Sequence, residues 1–187
     1  MTANKIKNLI SIDSSTNSIA FAHFIDLDLY KYGKITFSGQ NAYYKTGDAC
    51  KKINAYAKLH KIENVIIESA IYANSPKTAI QLSLVQGAIL GSLSLNGAKK
   101  ITPVSPIQWQ NWIGNKRLTQ QEKETIVKNN PNKSNSWYKS QERLFRKQRT
   151  INLVNNKFNI KVTDDDVADS IAIGWFACNN WSKLNGS

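Results

Sequence analysis

Asp13, Glu68, Asp166 and Asp169 are the residues of this chain best placed to do chemistry. Acid is scarce around them: 13 Asp plus Glu stand against 25 Lys plus Arg, a net charge of +12. Asp13 ends the apolar run Leu9-Ile10-Ser11-Ile12, and Glu68 ends Val65-Ile66-Ile67. Asp166 and Asp169 open an apolar helical pattern and, three residues apart, share one face. Carboxylates at the ends of buried elements are costly unless something pairs with them. A converging group of oxygen donors suits a hard divalent cation, Mg²⁺ above all. Two such carboxylates about 4 Å apart repel by roughly 4 kcal/mol, so without a cation one should protonate or move.

Phosphodiester hydrolysis needs a deprotonated water, charge offset on five-coordinate phosphorus and a stabilised leaving oxygen. Two Mg²⁺ ions held by several carboxylates supply all three. No His- or Ser-based triad competes. Asp164 and Asp165 sit where the helix dipole favours acid and read as caps. The spacing Asp165–Asp169 also shares a face, so the fourth ligand is Asp166 or Asp165.

The basic excess points to an acidic partner, and the isoelectric point is near 9.7. Between Lys116 and Lys161 twelve basic residues face three acidic ones, Glu122, Glu124 and Glu142. Most of the net charge lies there, and the segment reads as a nucleic-acid surface. Any single Lys in it is better explained as solvated surface than as a contact.

The length of 187 residues suggests one domain, 1–187. No apolar run approaches the roughly 18 residues of a membrane span, and no signal peptide is seen. The expectation is a cytoplasmic protein with no membrane partner. Cys50 and Cys178 read as buried free thiols, and neither His23 nor His60 has zinc spacing.

The elements that must position the acids follow from the pattern. Strands are expected over 6–13, 18–25 and 33–38, the last bounded by Gly33 and Gly39. A helix over 48–61, capped by Asp48, precedes a buried strand over 64–68. Pro76 opens a helix over 76–95, and 100–104 is a fifth strand. Ala79, Ser83, Gly87 and Gly91 line one face of that helix, for packing on its own sheet or on a second helix. Shorter helices follow over 108–113 and 119–128, the latter with a capping box from Thr119 to Glu122. A polar loop over 129–136 leads to a basic helix over 137–158, with Leu144, Ile151 and Val154 inward, and the last helix covers 165–181.

This order matches a ribonuclease H-like α/β architecture: a mixed five-stranded sheet flanked by helices, with a basic helical insertion. In it the first and fourth strands lie side by side, which joins Asp13 to Glu68.

The three motifs Ile-Ser-Ile-Asp13-Ser-Ser-Thr, Val-Ile-Ile-Glu68-Ser and Asp166-Val-Ala-Asp169-Ser-Ile-Ala-Ile resemble those of RuvC-type Holliday-junction resolvases. The stretch Ala73-Asn74-Ser75-Pro76-Lys77-Thr78-Ala79, with Leu84-Val85-Gln86-Gly87-Ala88, resembles the start of that family's dimer helix. The resemblance covers about 6–113 and 141–181. It implies a homodimer that nicks two opposed strands of a four-way DNA junction. It also implies Mg²⁺ dependence, with Mn²⁺ as a substitute, and 5′-phosphate and 3′-hydroxyl ends.

The resemblance implies catalytic metal ligands at Asp13, Glu68, Asp166 and Asp169, and a phosphate contact at Lys147. Further DNA contacts are expected at Tyr72, Asn74, Lys77, Lys116, Arg117, Arg143, Arg146 and Arg149. Ile71-Tyr72 stands where cellular enzymes often place a wedging Phe; Tyr72 stacks on a base or packs in its loop. Residues 114–140, with Trp137 and Tyr138, look like an insertion that extends the DNA contact. With the Asn- and Lys-rich composition, they resemble a bacteriophage-encoded form.

Three other readings stand beside this one. The same nuclease core acts on forks, flaps or three-way branches. A sugar-kinase or actin phosphate site faintly fits Asp13-Ser14-Ser15-Thr16 but lacks its glycine and second domain. A non-catalytic junction-binding protein would not need the four acids.

Overall fold

The computed structural model describes residues 7–69 and 75–185. Among these, the strands are β1 (Asn8–Ser14), β2 (Ser18–Ile25), β3 (Asp28–Thr36), β4 (Asn64–Glu68) and β5 (Lys100–Val104). The helices are α1 (Ala42–His60), α2 (Pro76–Leu95), α3 (Pro106–Trp112), α4 (Gln120–Asn129), α5 (Asn135–Phe158) and α6 (Asp165–Asn185). The sheet order is β3-β2-β1-β4-β5. β1, β2 and β3 form an antiparallel meander, and β4 and β5 run parallel to β1. This is the mixed five-stranded sheet expected from the sequence.

The central strand β1 is apolar on both faces because both are covered. Ile10 and Ile12 point into one core with Ile53 and Ala57 of α1 and Val85, Ile89 and Leu93 of α2. Leu9 belongs to the other core, with Trp109 of α3, Val154 of α5 and Ala168, Ile171 and Ala172 of α6. The layers are therefore helix, sheet, helix, with α6 on the face opposite α1 and α2.

α6 comes unusually close to β1. A Cβ on Gly174 would lie 2.6 Å from Ser11 Oγ and inside the Phe24 ring. The Ser11 hydroxyl reaches the Ser170 carbonyl at 2.7 Å. A small residue and a hydroxyl thus fix the height of α6 on the sheet.

Some sequence expectations change. β3 starts at Asp28 rather than 33, through a two-residue turn in which Asp26 and Leu27 both have positive φ (49° and 81°). Leucine gives no signal for such a turn. Gly33 lies inside the strand, where a Cβ would lie 3.5 Å from the Phe21 ring, rather than at its boundary. α1 begins six residues earlier than expected, capped by Asn41, whose side chain accepts from Tyr43 N and Tyr44 N. Asp48 lies within the helix and accepts from Ser38 N and Lys52 Nζ. Leu144 is 54% exposed and lines the groove between α4 and α5, because that half of α5 lies on α4 and not on the sheet. Ile151 and Val154 do point inward.

α2 also corrects the membrane expectation. It is long and apolar enough to cross a bilayer by length and composition. Its Ser, Thr and Gln residues break the apolar run without lowering the average enough. Its buried side packs on α1, as a layer of the fold. Cys50 and Cys178 are free thiols, as expected, but both are half-buried rather than buried.

Candidate active site

The β1–β4 register sets Ile12 beside Ile67, so Asp13 and Glu68 follow side by side at the sheet edge. Side chains alternate faces along a strand. Leu9 and Ile66 lie in the α6-side core, so Asp13 and Glu68, each an even step away, face α6 as well. α6 begins at Asp165 and brings Asp166 and Asp169 to the same edge. All four carboxylates line one cleft of about 430 Å³, shared with Arg143, Arg146, Lys147 and Thr150 of α5. Pro106, Gln110, Asn115, Ser14 and Ser15 complete the lining.

The electrostatics show what crowding four acids costs. Burial, and then the charges of Glu68, Asp169 and Asp166, push Asp13 up to about 8, with Lys147 opposing. Burial and then Glu68 push Asp169 up to about 7, against a hydrogen bond from Thr150 and the charge of Lys147. Glu68 is raised by burial and pulled back by Trp109, whose indole N–H donates to Oε1 at 2.8 Å. Asp166 turns to Lys34 of β3, at 2.7 Å, and the same ammonium holds Asp164 at 2.9 Å. Lys147 pairs with Asp165, which is not part of the cleft lining. Among the described residues no three Asp, Glu, His or Cys side chains form a closed ligand set. The sequence had suggested tighter convergence. The four acids share a cleft without closing into a ligand set, and Asp166 is engaged by Lys34.

A pH dependence follows for the metal-free protein. The unfolded chain releases the Asp13 and Asp169 protons near 3.8, whereas the folded chain holds them to about 8 and about 7. Between those values the folded state binds more protons, so stability falls as pH rises. In EDTA the melting temperature is expected to drop by about 3 °C or more from pH 5 to pH 9. Asp13→Asn should flatten that slope. A melting temperature rising across this range would contradict the buried-acid geometry.

No family model matches the chain. Over 85 residues, 43% of its length, it is 26% identical to the crossover junction endodeoxyribonuclease RuvC of Campylobacter hominis. That match spans 54% of the relative, about half its length. Among solved structures, T. thermophilus RuvC in complex with a Holliday junction substrate matches with a TM-score of 0.67 at 14% identity. It covers 95% of this chain and 96% of that one. The yeast mitochondrial Holliday junction resolvase Ydc2 matches at 0.54 and 12% identity, over 96% and 82%.

The chain has the RuvC fold. On it, the sequence-derived DNA contacts fall into three groups. Arg143, Arg146 and Lys147 line the cleft with the acids. Lys116 and Arg117 are exposed after α3, and Lys77 is exposed in the first turn of α2. Arg149 pairs with Glu122 and lies over the Phe145 ring at 4.8 Å, tying α4 to α5. Tyr72 and Asn74 lie outside the described residues.

Several site residues were not singled out from sequence. They are Trp109 on Glu68, Lys34 on Asp166, and the chain from Asn115 through Thr150 to Asp169, whose first link is 2.9 Å. All depend on contacts between distant segments, and no local motif marks them. Within the RuvC fold, the donor set fits a divalent metal. Four hard oxygen ligands share a cleft, and two of them hold protons near neutrality because of burial and then the charge of neighbouring carboxylates, both of which a bound cation would offset.

Proposed function

We infer that the protein is a Mg²⁺-dependent endonuclease that resolves four-way DNA junctions by paired, symmetric nicks. One observation carries this reading: Asp13, Glu68, Asp166 and Asp169 share a cleft with Arg143, Arg146 and Lys147. The RuvC fold and the distant sequence match to a crossover junction endonuclease support it. The Asn- and Lys-rich composition and segment 114–140 support a bacteriophage-type form.

Asp13, Glu68, Asp166 and Asp169 would hold the metal, two ions per site, with Mn²⁺ as a substitute. Bound there, it supplies Lewis acidity that lowers the pKa of water and offsets charge on phosphorus. The remaining work belongs to the chain. Arg143 and Arg146 hold the DNA backbone at the mouth of the cleft by charge-assisted hydrogen bonds. Lys147 exchanges Asp165 for a phosphate. Trp109 keeps one Glu68 oxygen fixed, and Thr150 does the same for Asp169. Ser11 and Gly174 set α6 at the height these contacts need. Cleavage at the 3′-oxygen leaves a 5′-phosphate and a 3′-hydroxyl, ends that a ligase can join.

The test is cleavage of a synthetic mobile four-way junction in Mg²⁺, with products sized on every strand. Symmetric nicks in opposed strands are expected. No cleavage, or equal turnover of three-way DNA, overturns the assignment to four-way junctions.

Trp109→Phe tests the positioning of Glu68. The Phe ring keeps most of the packing but cannot donate. Loss of such a partner typically costs tenfold to a hundredfold in metal affinity. Mn²⁺ titration followed by electron paramagnetic resonance should show that loss beside an unchanged far-ultraviolet spectrum. Unchanged Mn²⁺ affinity would make the bond incidental.

Paired nicks need two sites related by a twofold axis, as a homodimer provides. α2 supports such a seam. Ile80 and Leu95 are 62% and 90% exposed, and a Cβ on Gly87 or Gly91 would meet nothing within 4 Å among the described residues. These glycines therefore do not pack on their own sheet. Gly87→Leu should fold, since Leu is the better helix former by close to 1 kcal/mol. It is expected to sediment as a monomer and to give single, uncoupled nicks. A folded, still dimeric variant would remove Gly87 from the seam.

A further inference from the structure

Tyr43 and Tyr44 are adjacent, apolar in most of their surface, and 76% and 64% exposed. Nothing in the carboxylate site uses them. They occupy the first turn of α1, which follows the end of β3. β3 runs antiparallel to β2, and β2 antiparallel to β1. The C-terminal end of β3 therefore lies at the same sheet edge as the C-terminal end of β1, where Asp13 stands. The tyrosines sit on that edge, on the α1 side of the sheet.

The position is built rather than incidental. Phe37 N donates to Asn17 O at 3.0 Å, and Lys45 Nζ donates to the Asn17 side chain. Both contacts tie the α1 entry to the β1–β2 turn that follows Asp13. Gly39 packs directly on the tyrosine backbone: a Cβ there would lie 2.5 Å from Lys45 N and 2.7 Å from Tyr44 C. Asn41 caps the turn through Tyr43 N and Tyr44 N. Two large rings are thus held outward on a fixed backbone, at little cost in ordering on binding. They border an open cleft with Ser38, Gln40, Lys51 and Lys52. Its one acid, Asp48, is already engaged by Lys52. The surface therefore offers aromatic faces with net positive charge, the combination that receives an unstacked base and its phosphate.

We propose that Tyr43 and Tyr44 form a stacking platform for an unpaired or unstacked nucleotide near the branch point, on the flank of the active site away from α6. This deepens the junction-nuclease reading and rests on it. It gives the enzyme a contact that intact duplex cannot satisfy, because bases in duplex are already stacked. Discrimination for branched DNA then comes partly from this flank, while the cleft supplies the chemistry. Lys51, which lines the same cleft, holds the adjoining phosphate.

The test uses the full chain in EDTA, where cleavage is off, with fluorescence anisotropy of a labelled four-way junction and of a blunt duplex of equal length. Tyr43→Ala/Tyr44→Ala is expected to weaken junction binding by about tenfold or more, from the usual loss per stacked base. Duplex binding should change less than twofold. Tyr43→Phe/Tyr44→Phe should restore junction binding, since the ring and not the hydroxyl acts. A 2-aminopurine placed at the branch point should lose its stacking quench in the Ala pair and regain it in the Phe pair. Both rings are exposed, so folding is expected to hold, and a melting curve checks it.

Junction binding unchanged in the Ala pair overturns the platform. So does an equal loss on duplex, which would indicate a backbone contact. A Phe pair as weak as the Ala pair overturns stacking. Conversion to a monomer by the Ala pair would make this flank a contact between copies and also overturn it. Wild-type protein that fails to prefer junction over duplex defeats the nuclease reading itself, and that outcome is visible before any tyrosine is changed.

Discussion

Asp13→Asn, Glu68→Gln and Asp169→Asn are each expected to lower junction cleavage by at least about a thousandfold. The metal's charge stabilisation is worth several kcal/mol, and each 1.36 kcal/mol is a factor of ten. All three side chains line the cleft: Asp13 and Glu68 face α6 from the ends of β1 and β4, and Asp169 stands on α6. Junction binding should stay nearly level, because Asp13 and Asp169 already hold protons near neutrality without metal and Arg143 and Arg146 stay in place. Asp166→Asn should be as severe. Asp165→Asn should be mild, since Asp165 pairs with Lys147 and stands outside the cleft lining. The measurement is single-turnover cleavage beside binding in EDTA. Near-normal turnover in any one of the first three removes that residue from the site. Asp165→Asn as damaging as Asp166→Asn would move the fourth ligand by one residue.

The central sheet was readable because its signals are local. Val65-Ile66-Ile67 is too short and too apolar for anything but a strand buried on both faces, and β4 runs Asn64–Glu68. Pro76 and the apolar stretch after it gave α2 its full extent, Pro76–Leu95. Thr119 and Glu122 announced the cap of α4, and both halves of that capping box are formed. The α1 start was missed because Asp48 looks like an N-cap, while Asn41 caps the helix about two turns earlier. The acids could be placed on one edge once β1 and β4 were taken as neighbours, a topological inference that no single residue carries. What holds them there was not legible. Trp109 is 41 residues from Glu68, and Lys34 is 132 from Asp166. Packing chooses such partners, and their types are common across the surface of any basic protein. Gly174 is similar: its role appears only when Phe24 and Ser11 are seen beneath it.

The affinity for junction DNA should fall about a thousandfold between roughly 50 and 200 mM salt, as expected for six or more neutralised phosphates. The structure sharpens which cations count. Of the twelve basic residues between Lys116 and Lys161, three already pair with acids: Lys123 with Glu142, Lys147 with Asp165 and Arg149 with Glu122. The other nine have no acidic partner among the described residues, enough to meet six phosphates. Arg143 is exposed at the cleft, so Arg143→Gln should lower the salt slope by about 0.9. Arg149→Gln should leave the slope nearly unchanged, because Glu122 neutralises that charge in the free protein. Its effect should appear instead as a lower melting temperature, from loosening α4 on α5. Filter binding across a salt series distinguishes the two variants directly. A flat response in the wild type would remove the α5 surface as the DNA contact. Equal slopes for Arg143→Gln and Arg149→Gln would show that the Arg149–Glu122 pair opens when DNA binds.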